Sequence, residues 1–223
     1  MSSGRAHGRP WQEQPDRAGE STVGTVVANA SMSVDGYIAK ADNSIGRLFD
    51  WYQAGDVEVT TASPGITFHL TSTSATCWGA WTDSLGALVC GRTLFDVTDG
   101  WGGRHTMDVP VVVVTHQVPT AWVDRHPEAP FTFVTDGVAA AVAHAQEIAG
   151  PRTVAVTAGT IAAQCLQLGL LDVVAVDLVP VVMGGGRPFF PGLEAEDVLL
   201  GDPDVCVAAT RVTHLRMPVQ RKR

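Results

Sequence analysis

Short apolar runs rich in valine recur along the chain and alternate with longer segments of mixed polarity. Between residues 25 and 183 these runs are TVVANASM, ALVC, VPVVVVT, FTFVT, TVAVT and LDVVAVDLVPVVM. Continuous runs of β-branched residues are typical of strands buried on both faces, and such strands form parallel sheets covered by helices. The pattern therefore predicts a largely parallel sheet.

The segments between these runs predict helices at 72–85, 93–98, 138–149 and 161–168. Strands that alternate with helices indicate an α/β fold. The third helix is the clearest, because Asp136 can cap its start and Gly150 can end it. Two extended segments in the last third of the chain have no long helix between them. We expect them to close the sheet as an antiparallel hairpin or edge pair.

The domain organisation follows from polarity and length. Residues 1–21 are polar and lack periodicity, which predicts a disordered N-terminal tail. Residues 22–223 fit one domain, given a usual size of about 100–200 residues. The chain has neither the apolar core of a signal peptide nor a run of about 18 apolar residues. We therefore expect a cytoplasmic protein without a membrane partner.

Charge and cysteine spacing exclude several function classes. The net charge of −8 argues against binding of nucleic acid through the overall field, so a bound anion would need a local set of donors. The four cysteines lack CxxC or CxxH spacing, and the histidines form no metal-binding motif. We expect reduced core cysteines and no metal site.

Three predicted strands end in residues suited to contact a phosphate. The motifs are LVCGRTLFD (88–96), VVVVTHQVP (111–119) and TAGTIAAQCL (157–166). Ligands of open α/β sheets lie at the carboxyl ends of strands, and the starts of helices offer unpaired N–H groups. Arg92 adds a planar donor suited to phosphate. Each motif taken alone also fits an ordinary turn, because none contains the GxGxxG fingerprint.

Three further loops have ambiguous interpretations. Asp35 precedes Gly36 after the first strand, which fits either a tight turn or a substrate contact. Trp101 lies in the glycine-rich segment DGWGGRH, which suits a pocket wall or a surface loop equally. The segment VMGGGRPFF is not followed by a helix, so it predicts a bent strand connection rather than a phosphate-binding loop.

Six segments taken together resemble, in order and spacing, the dihydrofolate-reductase-like family of the RibD C-terminal type, the reductase domain of riboflavin biosynthesis. They are SMSVDGYIA, GALVCGRTLFD, PVVVVTHQVP, FTFVTDG, VAVTAGTIAAQCLQLGLLDVV and DLVPVVMGGGRPFF. The resemblance covers nearly everything except the tail. It implies an open, mostly parallel sheet with helices on both faces and an antiparallel C-terminal hairpin. It also implies an enzyme that uses NADPH to reduce a small heterocyclic or carbonyl-type substrate.

The resemblance further implies which residues contact the NADPH. The expected contacts are Gly91, Arg92 and Thr93 at a helix start, Thr115 and His116 around the 2′-phosphate with Arg92, Thr135 near the adenosine, and Ala158, Gly159, Thr160, Ile161 and Gln164 along the pyrophosphate and nicotinamide. We expect the substrate to contact Phe49, Trp51 and Trp101. Asp35 is our candidate catalytic residue, which would position the substrate or relay a proton.

Two positions depart from the family pattern. Ala158 replaces the first of two adjacent glycines, and its methyl group can crowd the pyrophosphate. Helix 72–85 has Ala75 near the position where dihydrofolate reductases have a carboxylate, and its only acid is Asp83 at the end. We therefore do not expect folate reduction. These departures leave open an alternative, an NADP-binding protein of the same fold that acts as a sensor or ligand carrier without reductase activity.

The assembly is predicted from the C-terminal strands. Their apolar residues would leave a sheet edge or face that needs cover, which predicts a homodimer.

Overall fold

An eight-stranded mixed sheet lies at the centre of the computed structural model, which describes residues 23–193 and 197–220. In chain order the strands are β1 (Val26–Ser33), β2 (Tyr37–Ala39), β3 (Val57–Thr60), β4 (Thr67–Leu70), β5 (Leu85–Gly91), β6 (Val111–Val114), β7 (Phe131–Val134), β8 (Thr153–Thr157), β9 (Val173–Val179), β10 (Arg187–Pro188), β11 (Val205–Ala209) and β12 (Val212–Pro218). The α-helices are α1 (Ser72–Ser84), α2 (Arg92–Val97), α3 (Thr120–Arg125), α4 (Val138–Ala149) and α5 (Thr160–Gln167). Two 3-10 helices span Asp50–Gln53 and Asp99–Gly103. The predicted tail at 1–21 lies outside the described residues.

The order of the strands in the sheet is β11-β12-β9-β1-β8-β5-β6-β7. The six strands from β9 to β7 pair in parallel. Strand β12 pairs antiparallel with β9, and β11 pairs antiparallel with β12. The predicted α/β fold, with a mostly parallel sheet and an antiparallel C-terminal hairpin, is therefore confirmed. This arrangement brings the carboxyl ends of six strands to one edge of the sheet.

Helices cover both faces of the sheet, because successive strand residues enter two different core clusters. In β5, Ala87 and Val89 belong to the cluster that packs against α4 and α5, whereas Leu88 and Cys90 face the other side. On that second face, α1, α2 and α3 each contribute one buried aromatic side chain: Trp81, Phe95 and Trp122. Burial on both faces explains the continuous valine runs of the sequence.

A smaller apolar cluster lies beside the second face. The β3–β4 hairpin and the 3-10 helix at Asp50–Gln53 pack around Leu48, Trp51 and Leu70, against Val179 at the end of β9. This subassembly forms a wall above the carboxyl edge of the sheet. It encloses one side of the cleft described below.

Several local expectations were wrong. Gly137, with a φ of 90°, occupies the N-cap position of α4, and no side chain caps that helix, so Asp136 does not serve as its cap. Cys206 is exposed rather than part of the core. Helix α3 and the β3–β4 hairpin were not predicted, whereas the bounds of α4 agree with the prediction.

No helix within 23–193 and 197–220 is long and apolar enough to cross a membrane.

Candidate active site

A cleft of about 1660 Å³ opens at the carboxyl ends of the parallel strands. It extends from the ends of β5, β6 and β8 to the wall formed by the β3–β4 hairpin. All the residues predicted to contact NADPH line this cleft: Gly91, Arg92, Thr93, Thr115, His116, Thr135, Ala158, Gly159, Thr160, Ile161 and Gln164. Phe49, Trp51 and Trp101 line it as well. The structure thus brings together residues that are up to 115 positions apart in sequence.

Three helices begin at this cleft without a capping side chain. The N-cap residues of α2, α4 and α5 are Gly91, Gly137 and Gly159, and none of these helices has a side-chain cap. In contrast, the Thr71 side chain caps α1. The first N–H groups of a helix have no acceptor within the helix, and the helix dipole favours negative charge there. The cleft therefore presents several backbone donors suited to an anion.

The turn before α5 requires glycine at one position only. Gly159 has a φ of 92°, which alanine rarely adopts, whereas Ala158 does not have a positive φ. The Gly159 N–H donates to the carbonyl of Phe189 at 2.8 Å, so it is not available to a ligand. The donors left at this helix start are those of the first turn, from Thr160 onward. Ala158 also packs against the first core cluster, so its methyl group is accommodated.

Arg92 is held in place beside the end of β6. Its Nε donates to Asp96 at 2.7 Å, and its Nη1 donates to the Thr115 hydroxyl at 3.3 Å and to the Gln117 carbonyl at 2.8 Å. Its Nη2 makes no hydrogen bond within the described ranges. The guanidinium is therefore positioned by its neighbours, and one terminal nitrogen remains to donate to a ligand.

His116 and Thr135 lie at the exposed rim of the same end of the cleft, next to the ends of β6 and β7. Gln164 is exposed on α5, one helical turn after Thr160. Together with Arg92, these side chains surround the uncapped helix starts with polar groups. This end is the more polar half of the cleft.

The other half of the cleft has aromatic walls. Phe49 is 42% exposed and stands edge-on to Tyr52, which stacks on Trp51 and on Phe68 with ring centroids 3.9 and 4.3 Å apart. Trp51 itself is buried, and its Nε1 donates to Ser31 at 3.0 Å. The walls therefore suit a planar apolar molecule.

The Trp101 loop closes this aromatic half from the side of α2. Five consecutive residues, Asp99 to Gly103, have positive φ values, and Trp101 contacts the ring of His105 edge-on, with ring centroids 4.4 Å apart. Burial lowers the pKa of His105 to about 4, so this imidazole is neutral at physiological pH. Burial also raises the pKa of Tyr52, with a further contribution from the negative charge of Asp177. The Tyr52 phenol therefore keeps its proton.

The structure does not bring Asp35 to the cleft. Its carboxylate accepts hydrogen bonds from the backbone N–H groups of Met183 and Gly184, at 2.7 to 3.1 Å. The Ser33 hydroxyl, followed by these backbone bonds, lowers the pKa of Asp35 to about 2. The position is exposed and lies outside the cleft lining, so the geometry does not support the catalytic or substrate-binding role expected of Asp35. Asp35 instead joins the end of β1 to the glycine-rich loop at 184–186.

A row of polar residues that the sequence did not reveal crosses the floor of the aromatic half. Ser31 on β1, Asp177 on β9 and His214 on β12 are register partners on three neighbouring strands. All three line the cleft. Asp177 interrupts an apolar run, and its partner His214 is 37 residues away, so no spacing motif marks the pair. Gly137, which lies at the start of α4 in the cleft lining, was not predicted as a site residue, because Asp136 beside it was interpreted as the helix cap.

Comparison with known proteins identifies the family. The model of the family described as the RibD C-terminal domain matches residues 24–214, most of the chain. No curated protein sequence matches the chain. The family-model match agrees with the resemblance found in the sequence.

Solved structures share the fold at low sequence identity. A Shewanella sp. PV-4 protein assigned to riboflavin biosynthesis has a TM-score of 0.61 and 19% identity, covering 88% of this chain and 99% of its own. A pyrimidine reductase-like protein from Corynebacterium diphtheriae has a TM-score of 0.56 and 13% identity, with 89% and 93% covered. Dihydrofolate reductase from Enterococcus faecalis, complexed with NADP(H), has a TM-score of 0.54 and 14% identity, with 89% and 97% covered. The chain is thus dihydrofolate-reductase-like in fold.

Proposed function

Because the chain belongs to the RibD C-terminal domain family, a family of reductases, we propose that it is an NADPH-dependent reductase of a small heterocyclic or carbonyl-type substrate. The observation that carries this proposal is the set of three uncapped helix starts, at Gly91, Gly137 and Gly159, on one cleft. Such donors suit the phosphates of a dinucleotide.

The residues present fit NADPH at the polar half of the cleft. The first-turn amides of α2 and α5 would hold the pyrophosphate, as helix starts do for other anions. Arg92 and His116 would bind the 2′-phosphate, with the Thr115 hydroxyl and the Gln117 carbonyl fixing the guanidinium. When bound, NADPH supplies the hydride. The protein would orient the substrate on the aromatic half and exclude water from it.

Dihydrofolate itself is not the substrate that we propose. Ala75, near the position of the dihydrofolate reductase carboxylate, is apolar and packs against the smaller apolar cluster around Trp51, and Asp83 is exposed outside the cleft. The likeness to a pyrimidine reductase-like protein makes aminopyrimidines the first compounds to assay. The alternative, an NADP-binding protein without reductase activity, was suggested partly by the departure from the family pattern at Ala158. Because that residue has no strained φ and packs, partly buried, against the core cluster of α4 and α5 at the cleft wall, we favour the reductase.

Binding of NADPH and NADH, followed by quenching of tryptophan fluorescence, tests the cofactor site, since Trp51, Trp78, Trp81 and Trp101 line the cleft. We expect Arg92→Ala to weaken NADPH binding about tenfold, or ~1.4 kcal/mol, because it removes a partly exposed charged donor to the 2′-phosphate. NADH binding should change little. Arg125→Ala, on α3 outside the cleft lining, is the matched control.

Equal loss of NADPH and NADH affinity in the Arg92 variant would contradict the 2′-phosphate assignment. No binding of either nucleotide by the unmodified protein would reject the proposed function. Consumption of NADPH with an aminopyrimidine, quinone or ketone acceptor separates the reductase from the sensor or carrier. Tight NADPH binding without turnover across those classes would favour the latter.

A further inference from the structure

The polar row beneath the aromatic half contains a buried hydrogen-bonded chain. The His214 Nδ1 lies 2.6 Å from Asp177 Oδ1, and the His214 Nε2 lies 3.1 Å from the Ser74 hydroxyl on α1. An ionised carboxylate only accepts hydrogen bonds, so the imidazole donates to Asp177. Ser74 and His214 are 1% and 2% exposed. Residues of α1, β9 and β12 thus fix the orientation of one carboxylate.

The other oxygen of that carboxylate has no partner in the described ranges. The Asp177 side chain is 13% exposed, and what remains exposed borders the cleft. A carboxylate oxygen that faces the cleft and has no protein partner in the described ranges is free to accept a hydrogen bond from water or from a ligand in the cleft. The neighbouring groups support this interpretation, because the protonated Tyr52 phenol and Ser31 occupy the same floor without bonding to Asp177 Oδ2.

We propose that Asp177 is a substrate-binding carboxylate whose free oxygen accepts a hydrogen bond from an N–H group of a planar substrate, and that His214 is its positioning residue. This inference rests on the proposed function and narrows its substrate class. A flat ring stacks between the aromatic walls, and a donor on its edge reaches the one charged acceptor of the floor. A simple ketone without an N–H group would leave that acceptor unpaired.

The test uses two probes of similar shape on the NADPH-saturated protein. 2-Aminopyridine has N–H donors, whereas 2-methylpyridine has a methyl group in their place. We expect the unmodified protein to bind 2-aminopyridine at least about tenfold more tightly, as a charge-assisted hydrogen bond requires. In Asp177→Asn the amide oxygen accepts from His214, and the amide NH₂ then faces the donor of the probe. The preference should disappear.

Three controls make each outcome decisive. Asp83→Asn removes an equal charge from the exposed end of α1 and should keep the preference. His214→Gln should reduce the preference and have no further effect in the Asp177→Asn background, a coupling that separates positioning from general stability. NADPH titration of every variant distinguishes loss of this contact from loss of the fold or of the cofactor site.

The proposal is overturned if the unmodified protein binds both probes equally, or if Asp177→Asn retains the preference while NADPH affinity is unchanged. Asp177→Ser, which has a smaller uncharged side chain, replaces Asp177→Asn if that variant does not fold. If NADPH does not bind to the unmodified protein, the proposed function fails first, and the probe preference is then measured on the protein alone.

Discussion

At Gly159 the backbone φ of 92° directs the chain from β8 into α5, and the neighbouring Ala158 has no such requirement. The single glycine of the TAGT segment is therefore at the position where a side chain would be strained. Ala158, which departs from the family pattern, packs against the core cluster of α4 and α5 where it lines the cleft. Ala158 thus departs from the family pattern in sequence, but its backbone φ is ordinary for a residue with a side chain.

Exchanges at these two positions should have different effects. Gly159→Ala should cost about 1–3 kcal/mol of unfolding free energy, because the positive φ and extended ψ of this position strain any residue with a side chain. It should also weaken NADPH binding by moving the first amides of α5. Ala158→Gly should cost less than about 1 kcal/mol, through the greater freedom of the unfolded chain, and leave NADPH affinity nearly unchanged. Urea denaturation and NADPH titration of both variants measure these effects.

Equal destabilisation by the two exchanges would contradict this account of the turn. Improved NADPH binding in Ala158→Gly would instead revive the idea that the methyl group crowds the pyrophosphate.

Among the connecting elements, the loop after β9 is held by an exposed carboxylate in addition to the packing of Val181 and Met183 against the apolar cluster around Trp51. Asp35, two residues after the end of β1, accepts from the amides of Met183 and Gly184 and so fixes the chain where it leaves the sheet. The folded-state pKa of about 2 lies below the ordinary value of 3.8. Such a depressed pKa means that the ionised form stabilises the fold, fully above the ordinary pKa and less as the pH falls towards the folded-state value.

We therefore expect Asp35→Asn to lower the urea midpoint at neutral pH, and the difference from the unmodified protein to shrink between about pH 4 and pH 2. NADPH affinity should not change, because Asp35 does not line the cleft. Asp83→Asn controls for the loss of one charge. A difference in midpoint that is constant down to pH 2 would show that the carboxylate does not stabilise the loop in its ionised form.

The valine runs predicted the parallel strands well, because strands that are buried on both faces have continuous apolar sequences. The β3–β4 hairpin has no such continuous apolar run, since its strands have four residues each and only one face packs against the core.

The strand ends predicted the polar half of the cleft, because the carboxyl ends of parallel strands meet at one edge. Asp177 and His214 were not predicted, since β9 and β12 become neighbours only through the sheet order.

On the scale of the whole molecule, the eight-stranded sheet is open, with β11 and β7 at its two edges. Unpaired backbone groups at sheet edges are often covered by a second subunit. Large apolar side chains are also exposed near the C-terminal strands, including Leu199 at 67% and Val182 at 75%. These features motivate the homodimer that the sequence predicted, which we retain as a proposal.

Sedimentation equilibrium at micromolar concentration tests the assembly. We expect a species of twice the chain mass of 23.5 kDa. Leu199→Ser, an exposed exchange outside the cleft, should weaken the dimer if the C-terminal face forms the interface, without changing NADPH affinity. A single species of 23.5 kDa for the unmodified protein would exclude a stable dimer under those conditions.

The three helix starts with glycine at the N-cap position bear on how the ligand specificity of the two halves of the cleft could change in evolution. In the polar half of the cleft the proposed pyrophosphate contacts come from main-chain amides, which every residue type except proline supplies. In the aromatic half the contacts come from side chains, which single mutations replace. On the proposed function, exchanges of cleft-wall residues such as Phe49 and Trp101 would therefore change the molecule that is reduced, while NADPH would remain the source of the hydride.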